Sequence, residues 1–245
     1  MTSLWTQLGR FANGRRVGLY FIRNKWFAMP RQIVINETVV RLSYPAERGI
    51  KTDFVACVIR NDYGLGRQMK NVQTILDVGA NVGFFSLAAR ATYPNATIHA
   101  YEPNPRILSS LTANTFGLGI EVYPESVGQK AGRAFLDDPG ESNLAQTRLD
   151  CDGNIPQVSF ENTISRLGGR IDLLKLDCEG AEWDLFDATQ CWTCVDHLRM
   201  EYHLTEHRTL VLVERRLSGL GFEITHHQQD LGCGIIWARN ISAGG

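Results

Sequence analysis

The stretch Thr74-Ile75-Leu76-Asp77-Val78-Gly79-Ala80-Asn81-Val82-Gly83-Phe84-Phe85-Ser86 decides the fold. An apolar run ends in an acidic residue, two glycines follow four apart, and a further apolar run at helical spacing begins. This pattern is expected where a buried parallel strand turns sharply into a helix, the repeating unit of α/β sheets. Gly79 suits the tight turn, and Gly83 suits close packing of the helix on strand and ligand. A dinucleotide fingerprint starting at Gly79 would need glycines where Asn81 and Phe84 stand, and no Lys-Ser/Thr pair follows to form a phosphate loop. The turn therefore suits a nucleoside ligand without pyrophosphate, beside a carboxylate that attracts a cationic group. The plainer alternative is a tight turn with no ligand.

Moving outward, Thr97–Tyr101 reads as the next strand and runs into Glu102-Pro103-Asn104-Pro105. Glu102 lies about where an acid accepts both ribose hydroxyls in such folds. Taken alone it could equally be an acid at a helix N-terminus. Further on, Asp172-Leu173-Leu174-Lys175-Leu176-Asp177-Cys178-Glu179-Gly180-Ala181-Glu182 is a strand whose alternation turns Lys175, Asp177 and Glu179 the same way. Three ionisable groups at one strand tip fall where the reactive end of a ligand belongs, unless they only cap the following helix. S-adenosylmethionine, a nucleoside carrying an ammonium and a sulfonium, satisfies these requirements.

Around these segments the chain alternates strands and helices from about residue 73. Helices are expected over Val82–Thr92, Pro105–Phe116, 181–188 and Glu206–Ser218. Further strands are expected at Ile120–Tyr123, Ile171–Leu176, Val195–Tyr202, Phe222–His227 and Gly234–Arg239, with the last two forming an antiparallel hairpin at one side. The glycine- and aspartate-rich residues 126–160 offer short strands at Arg133–Leu136 and Gln157–Ser159. Upstream lie a helix near residues 4–12 and strands Gln32–Ile35 and Thr38–Leu42 joined at Asn36–Glu37. A helical face follows over Thr52–Arg60, and then a glycine-rich run to Arg67. The expected organisation is an N-terminal cap on the substrate side, residues 1–67, and a ligand-binding domain, residues 68–245.

The six cysteines are scattered, as in reduced thiols of a cytoplasmic protein, and the sequons at Asn36, Asn95 and Asn240 then have no consequence. Residues 1–31 carry six basic and no acidic side chains, so the rest of the chain is net acidic within a total of −1. This leaves no extended basic surface for nucleic acid. The basic aromatic N-terminus reads as a lid over the acceptor site, a dimer contact or an attachment to an anionic membrane surface.

Taken together, Asp77 to Gly83, Tyr101 to Asn104, Lys175 to Glu182 and the later Glu201-Tyr202-His203 make the sequence resemble the FkbM family of methyltransferases over residues 72–203. The resemblance implies the class I methyltransferase fold, a Rossmann-like sheet of seven mostly parallel strands with the last antiparallel. It implies donor contacts at Asp77, Gly79, Ala80, Asn81, Gly83, Glu102, Pro103 and Asn104, with the adenine near Ser126 and Val127. It also implies methyl transfer to a hydroxyl of a specialised metabolite or glycan. A base must help remove the hydroxyl proton. His203 is the first candidate and Asp177 the second, with Glu179 and Lys175 orienting the acceptor. In an alternative arrangement Asp177, Glu179 and Glu201 hold Mg²⁺. N-methylation from the same donor site, or a binding protein that retains only the fold, are the competing functions. His203 and His207 match a zinc-protease string, but one is at a strand end. Cys191 and Cys194 form only half of a zinc or redox site.

Overall fold

The computed structural model describes residues 4–20, 28–142, 145–178, 182–229 and 232–242. The expected aromatic-basic stretch through Trp26 and Phe27, and Glu179, lie outside the described residues. The chain opens with helix α1 (Leu4–Arg16) and a hairpin of β1 (Gln32–Ile35) and β2 (Thr38–Arg41). Asn36 and Glu37 both take positive φ, 45° and 70°, as a two-residue turn between twisted strands requires. Helix α2 (Gly49–Phe54) passes directly into a π-helical turn, Val55–Arg60, which ends at left-handed Asn61.

The strand–helix alternation follows as β3 (Thr74–Val78), α3 (Phe84–Thr92), β4 (Thr97–Tyr101), α4 (Leu108–Thr115) and β5 (Ile120–Tyr123). Four strands, β6 (Ser126–Gly128), β7 (Gly132–Asp137), β8 (Gln146–Leu149) and β9 (Ile155–Ser159), then build a separate small sheet. The chain continues with α5 (Phe160–Arg166), β10 (Ile171–Leu176), α6 (Glu182–Phe186) and β11 (Val195–His203). It closes with α7 (Leu210–Gly219), β12 (Phe222–Gln229) and β13 (Cys233–Asn240). The main sheet has seven strands in the order β5-β4-β3-β10-β11-β13-β12. Six are parallel, and β13 runs antiparallel between β11 and β12. The closing hairpin is thus present, with its second strand inserted beside β11 rather than left at the edge.

Alternation divides the core. Ile75 and Leu173 point to one face, where they pack with Ile33, Phe54, Ile59 and Phe84. Leu76 and Leu174 point to the other, with Phe160, Phe186 and Trp192. The N-terminal segment therefore shares a core with the sheet.

Three helices start later than their periodicity suggests. Helix α3 begins at Phe84 rather than Val82, because Asn81 (φ 50°) and Gly83 (φ 90°) are left-handed and hold the turn open. Helix α4 begins at Leu108, because Asn104 Oδ1 accepts the Arg106 N–H and forms a turn through Pro105. Helix α7 begins after Thr209, whose hydroxyl accepts the Leu212 N–H as an N-cap. The 126–160 region, expected to hold two short strands, folds as the four-stranded sheet; its extra strands are too short and polar to show a period.

Candidate functional site

The C-terminal ends of β3, β4, β10 and β11 open into one cleft, closed on one side by α2 and on the other by the small sheet. In open parallel sheets ligands bind at this edge, where neighbouring connections diverge to opposite faces.

The turn after β3 is fixed by backbone contact. Gly79 and Ala80 both donate to the Tyr101 carbonyl at 3.0 Å. A Cβ on Gly79, whose φ is +76°, would stand 1.8 Å from the Asp177 carbonyl oxygen, so only glycine lets the turn lie against the end of β10. Gly83 works differently: a Cβ there would meet Leu111 at 2.9 Å, so this glycine serves the packing of α3 on α4 rather than the cleft.

Glu102 leaves the tip of β4 buried, with one carboxylate oxygen accepting the Asn81 N–H at 2.8 Å and the other the Asn104 N–H at 2.9 Å. Each oxygen retains a further lone pair. Burial pushes the Glu102 carboxyl up to about 7, against the opposing effect of those two hydrogen bonds. Asn81 Nδ2 donates to Asp53 at 3.3 Å, and its buried Oδ1 has no hydrogen-bond partner among the described residues.

Lys175 is buried beneath the turn. Its ammonium donates to the Gly79 carbonyl at 2.5 Å and the Val78 carbonyl at 3.3 Å, and pairs with Asp77 at 3.2 Å and Asp177 at 3.5 Å. Burial works to lower its pKa, but the Asp77 and Asp177 carboxylates more than offset this, and the ammonium is held charged. Asp77 is fully buried and also accepts the Ser86 hydroxyl at 2.6 Å, so it braces the turn from below and does not line the cleft. Asn104 is likewise buried behind Glu102, its side chain donating to Asp138 at 2.9 Å.

Of the donor-side residues expected from sequence, Gly79, Ala80, Asn81, Glu102, Pro103, Ser126 and Val127 line the cleft together with Lys175 and Asp177. Asp77, Gly83 and Asn104 support it from behind. His203 is not among the lining residues. It lies two positions beyond Glu201 on β11, with Nε2 3.8 Å from the Glu201 carboxylate, and burial lowers its pKa so that the ring favours the neutral form.

Two residues were not singled out from sequence: Asp53, which lines the cleft, and Tyr63, which is buried behind it and contacts two of its carboxylates. Asp53, on α2, has its carboxyl pushed up to about 7 by burial and then by the charge of Asp177. Its one sequence signal is an acid next to Phe54 on an otherwise apolar helical stripe. Tyr63 donates to Asp177 at 2.8 Å and lies 3.3 Å from Glu201, and its only signal is to be the single aromatic in the glycine-rich run. Glu201 itself, considered before only as a metal ligand, lines the cleft with its pKa raised by burial and by Asp177. Among the described residues, no three acids of the cleft bring their oxygens within 4.8 Å of one another, as a shared cation would need. The one cluster of three possible ligand side chains this close among the described residues is the turn Asp150-Cys151-Asp152, two carboxylates and a thiol away from the cleft.

The profile of the family described as "Methyltransferase FkbM domain" matches residues 77–224, more than half of the chain and all of the cleft floor. The chain is similar to Methyltransferase sdnD of Sordaria araneosa, 28% identical over 78% of this chain and 89% of that one. It is 39% identical to 31-O-demethyl-FK506 methyltransferase FkbM of Streptomyces tacrolimicus, over 27% of this chain and 24% of that one. Among solved structures, the fibrillarin pre-rRNA processing protein of Methanococcus jannaschii shares the fold, with TM-score 0.50 and 13% identity over 89% of this chain and 85% of that one. The chain belongs to the FkbM-domain methyltransferases.

Proposed function

We propose that the chain is an S-adenosylmethionine-dependent methyltransferase acting on a hydroxyl of a small molecule or glycan. The observation that carries the donor assignment is Glu102. Its carboxylate is buried at a strand tip, oriented by two backbone N–H groups, and keeps lone pairs for a vicinal diol. Pyrophosphate has no glycine-rich cradle here, whereas a ribose and a cationic amino-acid tail fit the donor set. Glu102 accepts the ribose hydroxyls, and the partnerless Asn81 Oδ1 accepts from the ammonium. Ser126, Val127 and Pro103 flank the base.

The donor, when bound, supplies an electrophilic methyl group on a sulfonium. The protein holds the turn and the tip of β10 as one rigid body, with the Lys175 ammonium linking the Gly79 carbonyl to Asp77 and Asp177. It also presents carboxylates to the far end of the cleft. In-line alignment and proton removal are what such a transfer needs. A hydroxyl acceptor is supported by these acids and by the relative whose name specifies an O-methyl position.

The test is transfer of a radiolabelled methyl group to paired acceptor panels, hydroxylated compounds and their amino counterparts, with and without Mg²⁺. Label in the hydroxylated products supports the reading. Label confined to the amines overturns the O-methyl assignment.

A further inference from the structure

Three acids, Asp53, Asp177 and Glu201, face the end of the cleft, and their surroundings separate them. Asp177 receives the Tyr63 hydroxyl at 2.8 Å and the Lys175 ammonium at 3.5 Å. Asp53 receives the Asn81 amide on the donor side. Among the described residues, Glu201 has the longer contact to Tyr63, 3.3 Å, and His203 at 3.8 Å. Tyr63 has one proton to give, and the shorter distance gives it to Asp177. Asp177 thereby has two donors, while among the described residues Glu201 has none as close and keeps lone pairs to accept a proton.

The loop that carries Tyr63 is built to hold it there. The guanidinium of Arg199, itself buried, donates to the Tyr63 carbonyl at 2.8 Å, and the Trp237 indole donates to the Asp62 carbonyl at 2.8 Å. The Asn61 side chain brackets Leu65, accepting its N–H at 2.8 Å and donating to its carbonyl at 2.9 Å. A Cβ on Gly64 would lie 2.5 Å from the Trp237 ring, so the loop is pressed against β13.

We propose that Glu201 takes the acceptor's proton at the point of methyl transfer, with Tyr63 as its positioning residue and His203 as the outlet to solvent. This rests on the methyltransferase reading above. As the acceptor oxygen forms its bond to the methyl carbon, the carbon–sulfur bond breaks with its electron pair left on sulfur. The acceptor's O–H proton passes to a Glu201 oxygen and leaves by way of His203. Among the described residues, the titratable groups facing Glu201 are Asp177 and Lys175 from β10, Asp53 from α2, and Tyr63. His203 stands beyond it on β11, with Cys233 of β13 paired opposite. Burial and the Asp177 charge raise the affinity of Glu201 for a proton, which matches the role of a base.

The test compares two donor analogues by calorimetric titration. S-adenosylhomocysteine lacks the transferred methyl, and sinefungin places an ammonium at that position. If Glu201 faces the point of transfer, wild-type protein binds sinefungin roughly 10-fold or more tightly than S-adenosylhomocysteine, the gain of one charge-assisted hydrogen bond. Glu201→Gln abolishes that preference and leaves S-adenosylhomocysteine affinity unchanged. Tyr63→Phe keeps the preference but moves its onset to higher pH, because Asp177 loses the phenol's hydrogen bond and its charge bears more strongly on Glu201; a purely structural role for Tyr63 would not move it. A preference that is absent in wild type, that survives Glu201→Gln, or that is lost only in Asp53→Asn or His203→Gln overturns the assignment. Failure of S-adenosylhomocysteine to bind wild-type protein refutes the donor reading itself, a separate result.

Discussion

Replacing Lys175 by Met is the most informative perturbation of the scaffold. The substitution keeps the apolar stem and removes a buried ammonium that serves two carboxylates and two carbonyl oxygens. Asp77, with no exposure to solvent, is left with the Ser86 hydroxyl alone, and the Gly79 carbonyl loses its shortest contact. Breaking a buried ion pair from one side costs about 3–5 kcal/mol. In a chain of this size each kcal/mol moves Tm by roughly 2–4 °C, so Tm should fall by about 6–20 °C. The pH dependence gives a second, independent reading. In wild type the folded-state pKa of Lys175 is raised, so its contribution is fully present below the ordinary lysine value and is lost only as pH rises through the folded value. Between pH 5 and 8 Lys175 therefore gives no slope. Removing both partners, Lys175→Met with Asp77→Asn, should recover part of the loss. The assay is urea unfolding followed by tryptophan fluorescence, with buried Trp192 as reporter, at both pH values. A loss under about 1 kcal/mol would refute the role given to this ammonium.

Two further outcomes are expected. Gly79→Ala places a Cβ 1.8 Å from the Asp177 carbonyl at a left-handed φ, and should cost about 2–4 kcal/mol and weaken donor binding with it; unchanged Tm and affinity would contradict the close approach. Donor affinity should rise roughly tenfold between pH 6 and 8, since Glu102, pushed up to about 7, must be ionised to accept two hydroxyls; calorimetry at constant ionic strength that shows no change would contradict this.

The glycine-turn side of the cleft was legible because its chemistry is local. A glycine at a forced left-handed turn, a carboxylate at a strand tip and an ionisable run at the next strand each leave a mark within a few residues, and Gly79, Glu102 and Lys175 meet in the cleft as expected. Legibility failed where a residue's position depends on distant packing. Asp53 reaches the cleft, and Tyr63 its carboxylates Asp177 and Glu201, only because α2 and the 61–67 loop fold back over the sheet edge, more than 100 residues from Asp177 in the chain. Asp77 and Asn104 belong to the motifs but brace the site from behind, a distinction of burial that spacing does not encode. His203 was chosen for its chemistry, and Glu201, two residues earlier on the same face of β11, is the one that lines the cleft.

The central claim is that Glu102 is the ribose anchor of an S-adenosylmethionine site. Its most direct test is calorimetric titration of wild-type protein and Glu102→Ala with S-adenosylmethionine and S-adenosylhomocysteine, with NAD as control. Expected is micromolar binding of both nucleosides and none of NAD. The variant should lose about 100-fold or more in affinity, because two charge-assisted hydrogen bonds disappear and two buried N–H groups lose their acceptor. Binding that survives in Glu102→Ala within a few-fold, or no binding by wild type, would contradict it.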